Sequence, residues 1–170
     1  MSTPSKNPYL VDELKDNAAI FPPGEGEVLE IGGSKITFKV TSSISNDQLG
    51  VYEISLAPNT IGAQLHYHRF MDETFIVTEG VLTVKHGDTE VEAPAGTVIY
   101  VPRFTPHAFA NRSQARAVTT LIFNPAEKRE GFFYGLQRIL TSTPVDPQEY
   151  LALYSKYDSY PVDQANMLPV

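Results

Sequence analysis

The stretch GAQLHYHRFMDETFIVTEG, Gly62 to Gly80, holds two of the chain's four histidines two residues apart, with a glutamate five residues beyond the second. Side chains at i and i+2 of a β-strand leave the same face, so His66 and His68 can present two imidazole nitrogens to one point while Tyr67 faces away. A short turn through RFMD would return the chain on a neighbouring strand, where Glu73 faces inward with Phe75 and Val77. Two imidazoles and a carboxylate converging in this way supply three N/O ligands for a divalent metal ion. A carboxylate inside an apolar barrel has to be paired or coordinated, so an inward Glu73 is a ligand and an outward one is an ordinary solvated strand residue. His107 follows Pro106 at the start of the strand-like run HAFANRS, and the composition allows it as a fourth ligand. Any one of these histidines alone would be read as a hydrogen-bonded structural residue. His86, in the turn-like KHGD, is expected at the surface and away from any metal.

Outward from that stretch, about Gly26 to Pro125 is a succession of short segments rich in Val, Ile, Thr, Phe and Tyr, separated by Gly, Pro, Asn and Asp. That pattern predicts an all-β, antiparallel sandwich or barrel. In KITFKVT, Ile36, Phe38 and Val40 alternate onto one face. After Pro125 the period changes. Phe132, Leu136, Ile139 and Leu140 have helical spacing, and DPQEYLALYSKY opens with Asp146 as N-cap, Pro147 at the first helical position and Glu149 at the third. The tyrosines of that second helix, Tyr150, Tyr154 and Tyr157, read as packing surface against the barrel or a partner subunit. The division expected is an N-terminal arm over residues 1–25, a barrel over 26–125 and a helical extension and tail over 126–170.

With 170 residues, 42% hydrophobic and nine each of Phe and Tyr, the chain can fill one core and is short for two. A formal charge of −7 with no basic run argues against nucleic acid as a partner. The absence of cysteine removes disulfides, thiolate metal sites and cysteine nucleophiles together, and fits a reducing compartment. MSTPSKNPYLVDELKDNAAIFPPG lacks an apolar export segment and no later run reaches membrane-spanning length, so the expected location is the cytoplasm, with no membrane partner. Edge strands of such a sandwich need covering, and N-terminal residues are available to exchange across a two-fold, which leads to the expectation of a homodimer.

GAQLHYHRFMDETFIVTEG and GTVIYVPRFTPHAFAN resemble the two motifs of the cupin superfamily. The matching positions are His66, His68, Glu73 and Gly80, then Gly96, Pro102, His107 and Asn111, with a short intermotif stretch as in small bacterial single-domain cupins. Gly62 lies closer to the histidine pair than the first motif's opening glycine usually does, and Phe104 stands where the second motif commonly has Gly, a position with a special backbone angle. The resemblance implies an antiparallel double-stranded β-helix (a jelly-roll barrel) followed by short helices. It implies one divalent transition metal per chain (Mn, Fe, Co, Ni or Zn) on His66, His68, Glu73 and His107. Such a site leaves coordination positions open to water, dioxygen or a chelating substrate, and Glu73 could double as the catalytic proton acceptor.

The histidine pair, DETFIVTEG, VPRFTPHAFAN and REGFFYGL together are similar to bacterial proteins related to quercetin 2,3-dioxygenase. That resemblance implies oxidative cleavage of a flavonol or another small enol-bearing aromatic. Two other readings stand beside it: a non-catalytic cupin that binds metal or a small molecule, and a Zn-dependent sugar isomerase. The latter needs several basic residues for a phosphate, and only Arg103 lies near the motifs on that side. Phe75, Tyr100, Phe104 and Phe109 are the residues expected to line the pocket, with plain core packing as the alternative for each. Arg103 and Asp72 could steer an anion or simply be solvated, and Asn111 is expected to hydrogen-bond within the barrel.

Overall fold

The alternation seen in the β region becomes burial of every second residue. In the computed structural model, which describes residues 17–163, the strand β3 (Gly50–Leu56) buries Gly50, Tyr52, Ile54 and Leu56 and leaves the residues between them half-buried. The preceding elements are β1 (Glu27–Ile31), β2 (Ser34–Val40) and the short helix α1 (Ser42–Ser45). After β3 come β4 (Thr60–Tyr67), β5 (Asp72–Glu79), β6 (Val81–His86), β7 (Thr89–Pro94), β8 (Val98–Val101), β9 (His107–Asn111) and β10 (Ala117–Asn124). The helices α2 (Arg129–Leu140) and α3 (Pro147–Lys156) and the two-residue strand β11 (Tyr160–Pro161) complete the described chain. Two antiparallel sheets face each other, one ordered β1-β2-β3-β10-β5-β8 and the other β11-β4-β9-β6-β7, which is the expected jelly-roll sandwich.

One expectation is corrected by this topology. β5 does not pair with β4, because the RFMD turn carries the chain from one sheet to the other. Glu73 therefore reaches the interior from the sheet opposite the histidines. The crossing turn is held from outside its own sequence: the Asp158 carboxylate accepts from the backbone amides of Arg69 (2.9 Å), Phe70 (2.8 Å) and Met71 (3.0 Å). Met71 is then fully buried between the sheets.

The helices form where the apolar spacing changes to 3.6. Asp146 caps α3 by accepting from the Gln148 amide at 2.9 Å, and Pro147 follows at the first helical position, as the sequence predicts. α2 turns Phe132, Phe133 and Ile139 into the core, with Leu136 and Leu140 partly buried beside them. The two helices approach closely because Gly135 has no side chain where Leu153 packs. They extend the barrel's core directly: the Phe133 ring stands edge-on to Tyr52 at 5.2 Å and 6.0 Å from Phe38. β11 then pairs with β4, setting Tyr160 opposite Tyr67 and Pro161 opposite His66.

Among the described residues no helix is long and apolar enough to cross a membrane. Of the N-terminal arm over residues 1–25 from which strand exchange is expected, residues 1–16 lie outside the described residues.

Candidate metal centre

Strand parity places the candidate ligands. His66 is the inward residue next to the end of β4, His68 continues the same parity just beyond it, His107 opens β9 beside them, and Glu73 is the first inward position of β5. All four are buried, and their donor atoms lie within 4.8 Å of one another. Atoms bound to one ion at about 2.1 Å can be no more than about 4.2 Å apart, so closing on a cation needs only small shifts. His86 is exposed and stands outside the group, and Tyr67 faces the other way, stacked on Tyr160 at 5.5 Å.

The three rings are oriented by backbone carbonyls. Nδ1 of His66 lies 2.7 Å from the Gln64 oxygen, that of His68 lies 2.6 Å from the Asp158 oxygen, and that of His107 lies 2.9 Å from the Thr105 oxygen. A carbonyl only accepts, so each Nδ1 must carry the hydrogen and each Nε2 is left for the shared centre. This is the outer-shell arrangement that fixes histidine tautomers around a metal ion.

Glu73 Oε2 lies 2.7 Å from Nε2 of His107 and 3.1 Å from Nε2 of His68. Burial works against the Glu73 carboxylate, yet the bonds from His107 and His68 outweigh it and pull its pKa well below the usual range. Burial, aided by the other two rings, pushes His66 well down, and burial also lowers His68 against the pull of Glu73. His107 is held above the ordinary histidine value because its bond to Glu73 overcomes the burial penalty. The cluster is thus a carboxylate sharing protons with imidazoles, and a divalent cation fits the place of those protons. Three nitrogens and one oxygen with no thiolate suit Mn, Fe, Co, Ni or Zn.

A cavity of ≈ 460 Å³ opens beside the cluster, between the sheets and the two helices, and His66 and Glu73 reach its wall. Of the four aromatic residues expected there, Phe109 lines it. Phe75 is fully buried behind the ligands, 6.3 Å from the His107 ring and 5.2 Å from Phe109. Tyr100 and Phe104 are corrected to the surface. Tyr100 is paired with Thr74, one residue out of step with the buried pair Glu73 and Val101, so it takes the outward parity. Phe104 sits in a turn at φ +64° with its ring against Tyr67, facing away from the cavity. Arg103 pairs with Asp72 at 3.1 Å on the surface. Asn111 donates to the oxygens of Leu56, Ala57 and Ala115 and accepts from Ser113, a purely internal role.

The cavity wall also contains Arg129, Tyr150 and Tyr154, which the sequence reading left out of the site. The Tyr154 ring stands edge-on to His66 at 6.5 Å. A signal for Arg129 did exist: it precedes Phe132 and Leu136 at helical spacing, which puts a charge on the apolar face of α2.

Residues 52–123 match the family model for the Cupin domain. No curated protein matches the chain. Among solved structures, the chain is similar to an RmlC-like cupin from Shewanella frigidimarina, at 23% identity and TM-score 0.54 over 62% of this chain and 90% of that one. It is likewise similar to KdgF from Halomonas sp., at 15% identity and TM-score 0.55 over 62% and 93%. A cupin-superfamily sugar phosphate isomerase from Silicibacter pomeroyi matches at 26% identity and TM-score 0.49, over 54% of this chain and 59% of its own length, which is less than two thirds.

Proposed function

We propose that this chain, whose residues 52–123 match the Cupin domain and whose buried three-histidine, one-glutamate cluster reaches a cavity wall through His66 and Glu73, is a metal-dependent oxidoreductase of dioxygenase type. Its substrate would be a small enol-bearing or aromatic, flavonol-like molecule. The observation that supports this most is the buried cluster of His66, His68, Glu73 and His107, two of whose members reach a cavity whose wall includes Phe109, Phe123, Phe132 and Phe133. When bound, a divalent transition ion supplies Lewis acidity to a substrate oxygen and, where redox-active, chemistry with dioxygen. The chain's part is to hold the rings by their Nδ1 hydrogens, to exclude water with the aromatic wall, and to offer Glu73 Oε2 as acceptor for a substrate hydroxyl proton. The sugar-isomerase reading is disfavoured by the cavity itself, since Arg129 is its one Lys or Arg among the described residues and a phosphate calls for several.

The test is elemental analysis of the native protein followed by oxygen uptake over flavonols and diketones. One metal per chain and uptake with at least one such substrate are expected. Glu73→Gln keeps the volume and one oxygen donor but removes the proton-accepting carboxylate, so kcat is expected to fall far more than metal occupancy. His66→Ala should instead weaken or empty the site. Metal-loaded protein that consumes no substrate would give precedence to a non-catalytic binding role.

A further inference from the structure

Arg129 is a buried cation without a buried anion bonded to it. Its side chain is 4% exposed and lines the cavity that His66 and Glu73 also reach. The guanidinium sits among aromatic faces, with Cζ 4.0 Å from the Phe132 ring centre and 4.8 Å from that of Phe123. Nη1 is spent on structure, donating to the Tyr157 oxygen and to Ser159 Oγ, both at 2.9 Å. Nε is buried with no hydrogen-bond partner, and Nη2 has none among the described residues. No carboxylate among them forms an ion pair with it. Burial lowers its pKa, but a guanidinium retains its charge in a protein interior. Glu73 and Asp158 act on this charge only through space, and two unused donors on one edge of a planar fork match the two oxygens of a carboxylate.

A second donor faces the same space. Tyr150 and Tyr154 both line the cavity, and their hydroxyls share one hydrogen bond of 3.1 Å. Burial raises the pKa of both, so both keep their protons. Two protons and one mutual bond leave one hydroxyl hydrogen with no acceptor among the described residues. The unused polar capacity beside Arg129 is therefore donor capacity, set in an apolar wall of Phe109, Phe133, Leu121 and Ile54.

We propose that the cavity takes its ligand as a monocarboxylic acid with an aryl or alkyl body, its carboxylate on Arg129 and the tyrosine hydroxyl, its other end toward His66 and Glu73. This goes beyond the function proposed above by naming a ligand class for the Arg129 side of the same cavity, and rests on that reading only for what happens at the metal end. The closing experiment is run on the full chain stripped of metal, so that the two stand or fall separately. Paired aryl and alkyl monocarboxylates and their neutral amides, beginning with phenylacetate and phenylacetamide, are titrated calorimetrically. At least one acid is expected to bind about tenfold or more tighter than its amide. The Arg129 Nε–H resonance of nitrogen-15-labelled protein is expected to shift as that acid is added.

Arg129→Gln is expected to abolish the preference for the acid while amide binding persists. Nη1 also ties down residues 157 and 159, so if that variant does not fold, the wild-type titration and the resonance shift decide the matter without it. Equal binding of acid and amide, no acid bound across the panel, an unmoved Nε–H resonance, or a preference that survives in folded Arg129→Gln would each overturn the proposal. Acid binding by the metal-free chain, together with no oxygen uptake by the metal-loaded chain over flavonols and diketones, overturns the dioxygenase reading alone.

Discussion

At the scale of single residues, the chain departs from the cupin motif it resembles where backbone geometry is most demanding and keeps the geometry. Phe104 adopts φ +64°, the left-handed region that a glycine at that position would reach freely. Its amide donates to the His68 oxygen at 2.7 Å, which fixes the turn against the ligand-bearing segment and accounts for the angle being held despite the side chain. The grouping of His66, His68, Glu73 and His107 was legible from the sequence because two motifs, each local, announce it. Arg129 and Tyr154 were not, because they reach the cavity only through packing of helices distant in sequence from the histidines. Glu130, next to Arg129, behaves differently: its carboxylate accepts from the Ser42 amide, Ser42 Oγ and Tyr52 OH, each at 2.7 Å. Burial raises its pKa, but these donors outweigh burial and leave it below the ordinary value. A depressed folded pKa means stability that is full above the unfolded carboxylate value of about 4.3 and is lost as pH falls through the lower folded one. Glu130→Gln is therefore expected to cost about 1–2 kcal/mol at neutral pH. Urea melts of both proteins between neutral pH and pH 3 should show that gap closing on the acid side, and a gap independent of pH would remove Glu130 from this role.

At the scale of elements, the decisive connection is the turn between β4 and β5, which carries the chain across the sandwich within four residues and brings Glu73 to the histidines from the opposite sheet. The sequence predicts the turn but not its crossing, since periodicity reports which face a residue takes and not which sheet its strand joins. What fixes the crossing lies nearly ninety residues later. Asp158, itself at φ +56°, holds three amides of the turn with its carboxylate and orients His68 with its backbone oxygen. Asp158→Asn tolerates the same backbone angle but replaces an accepting oxygen with a donor facing amide hydrogens. Metal affinity, read by competition with a chromophoric chelator, is expected to drop about 10- to 100-fold, the range for lost outer-shell support. Asp146→Ala makes the comparison: it removes the cap of α3, costs about 1 kcal/mol of stability and should leave metal affinity where it was. Equal loss of affinity in the two variants would mean that α3 as a whole, and not the Asp158 contact, supports the centre.

At the scale of the molecule, the barrel and the helical extension share one interior. The sequence changes period near Pro125, but period cannot say whether the second segment packs on the first or stands apart. Residue contacts answer it: Phe132, Phe133, Ile139, Tyr150, Leu153 and Tyr154 belong to the same buried cluster as Phe38, Tyr52 and Phe123. Those helices also close one side of the cavity, so the site exists only in the assembled fold. The thermodynamic consequence is a single cooperative transition, in which slowly exchanging amides of α2 and of the central strands β3 and β10 report the same opening free energy. Phe133 lies at the junction, buried and in ring contact with Phe38 and Tyr52 from the barrel and Phe132 from its own helix. Phe133→Ala is expected to cost about 3–5 kcal/mol. Native-state hydrogen exchange should show that loss in full at β3 and β10 as well as at α2. If only α2 loses protection while the strands keep theirs, the extension is a separately unfolding unit and the cavity's far wall is a door on the barrel rather than part of its core.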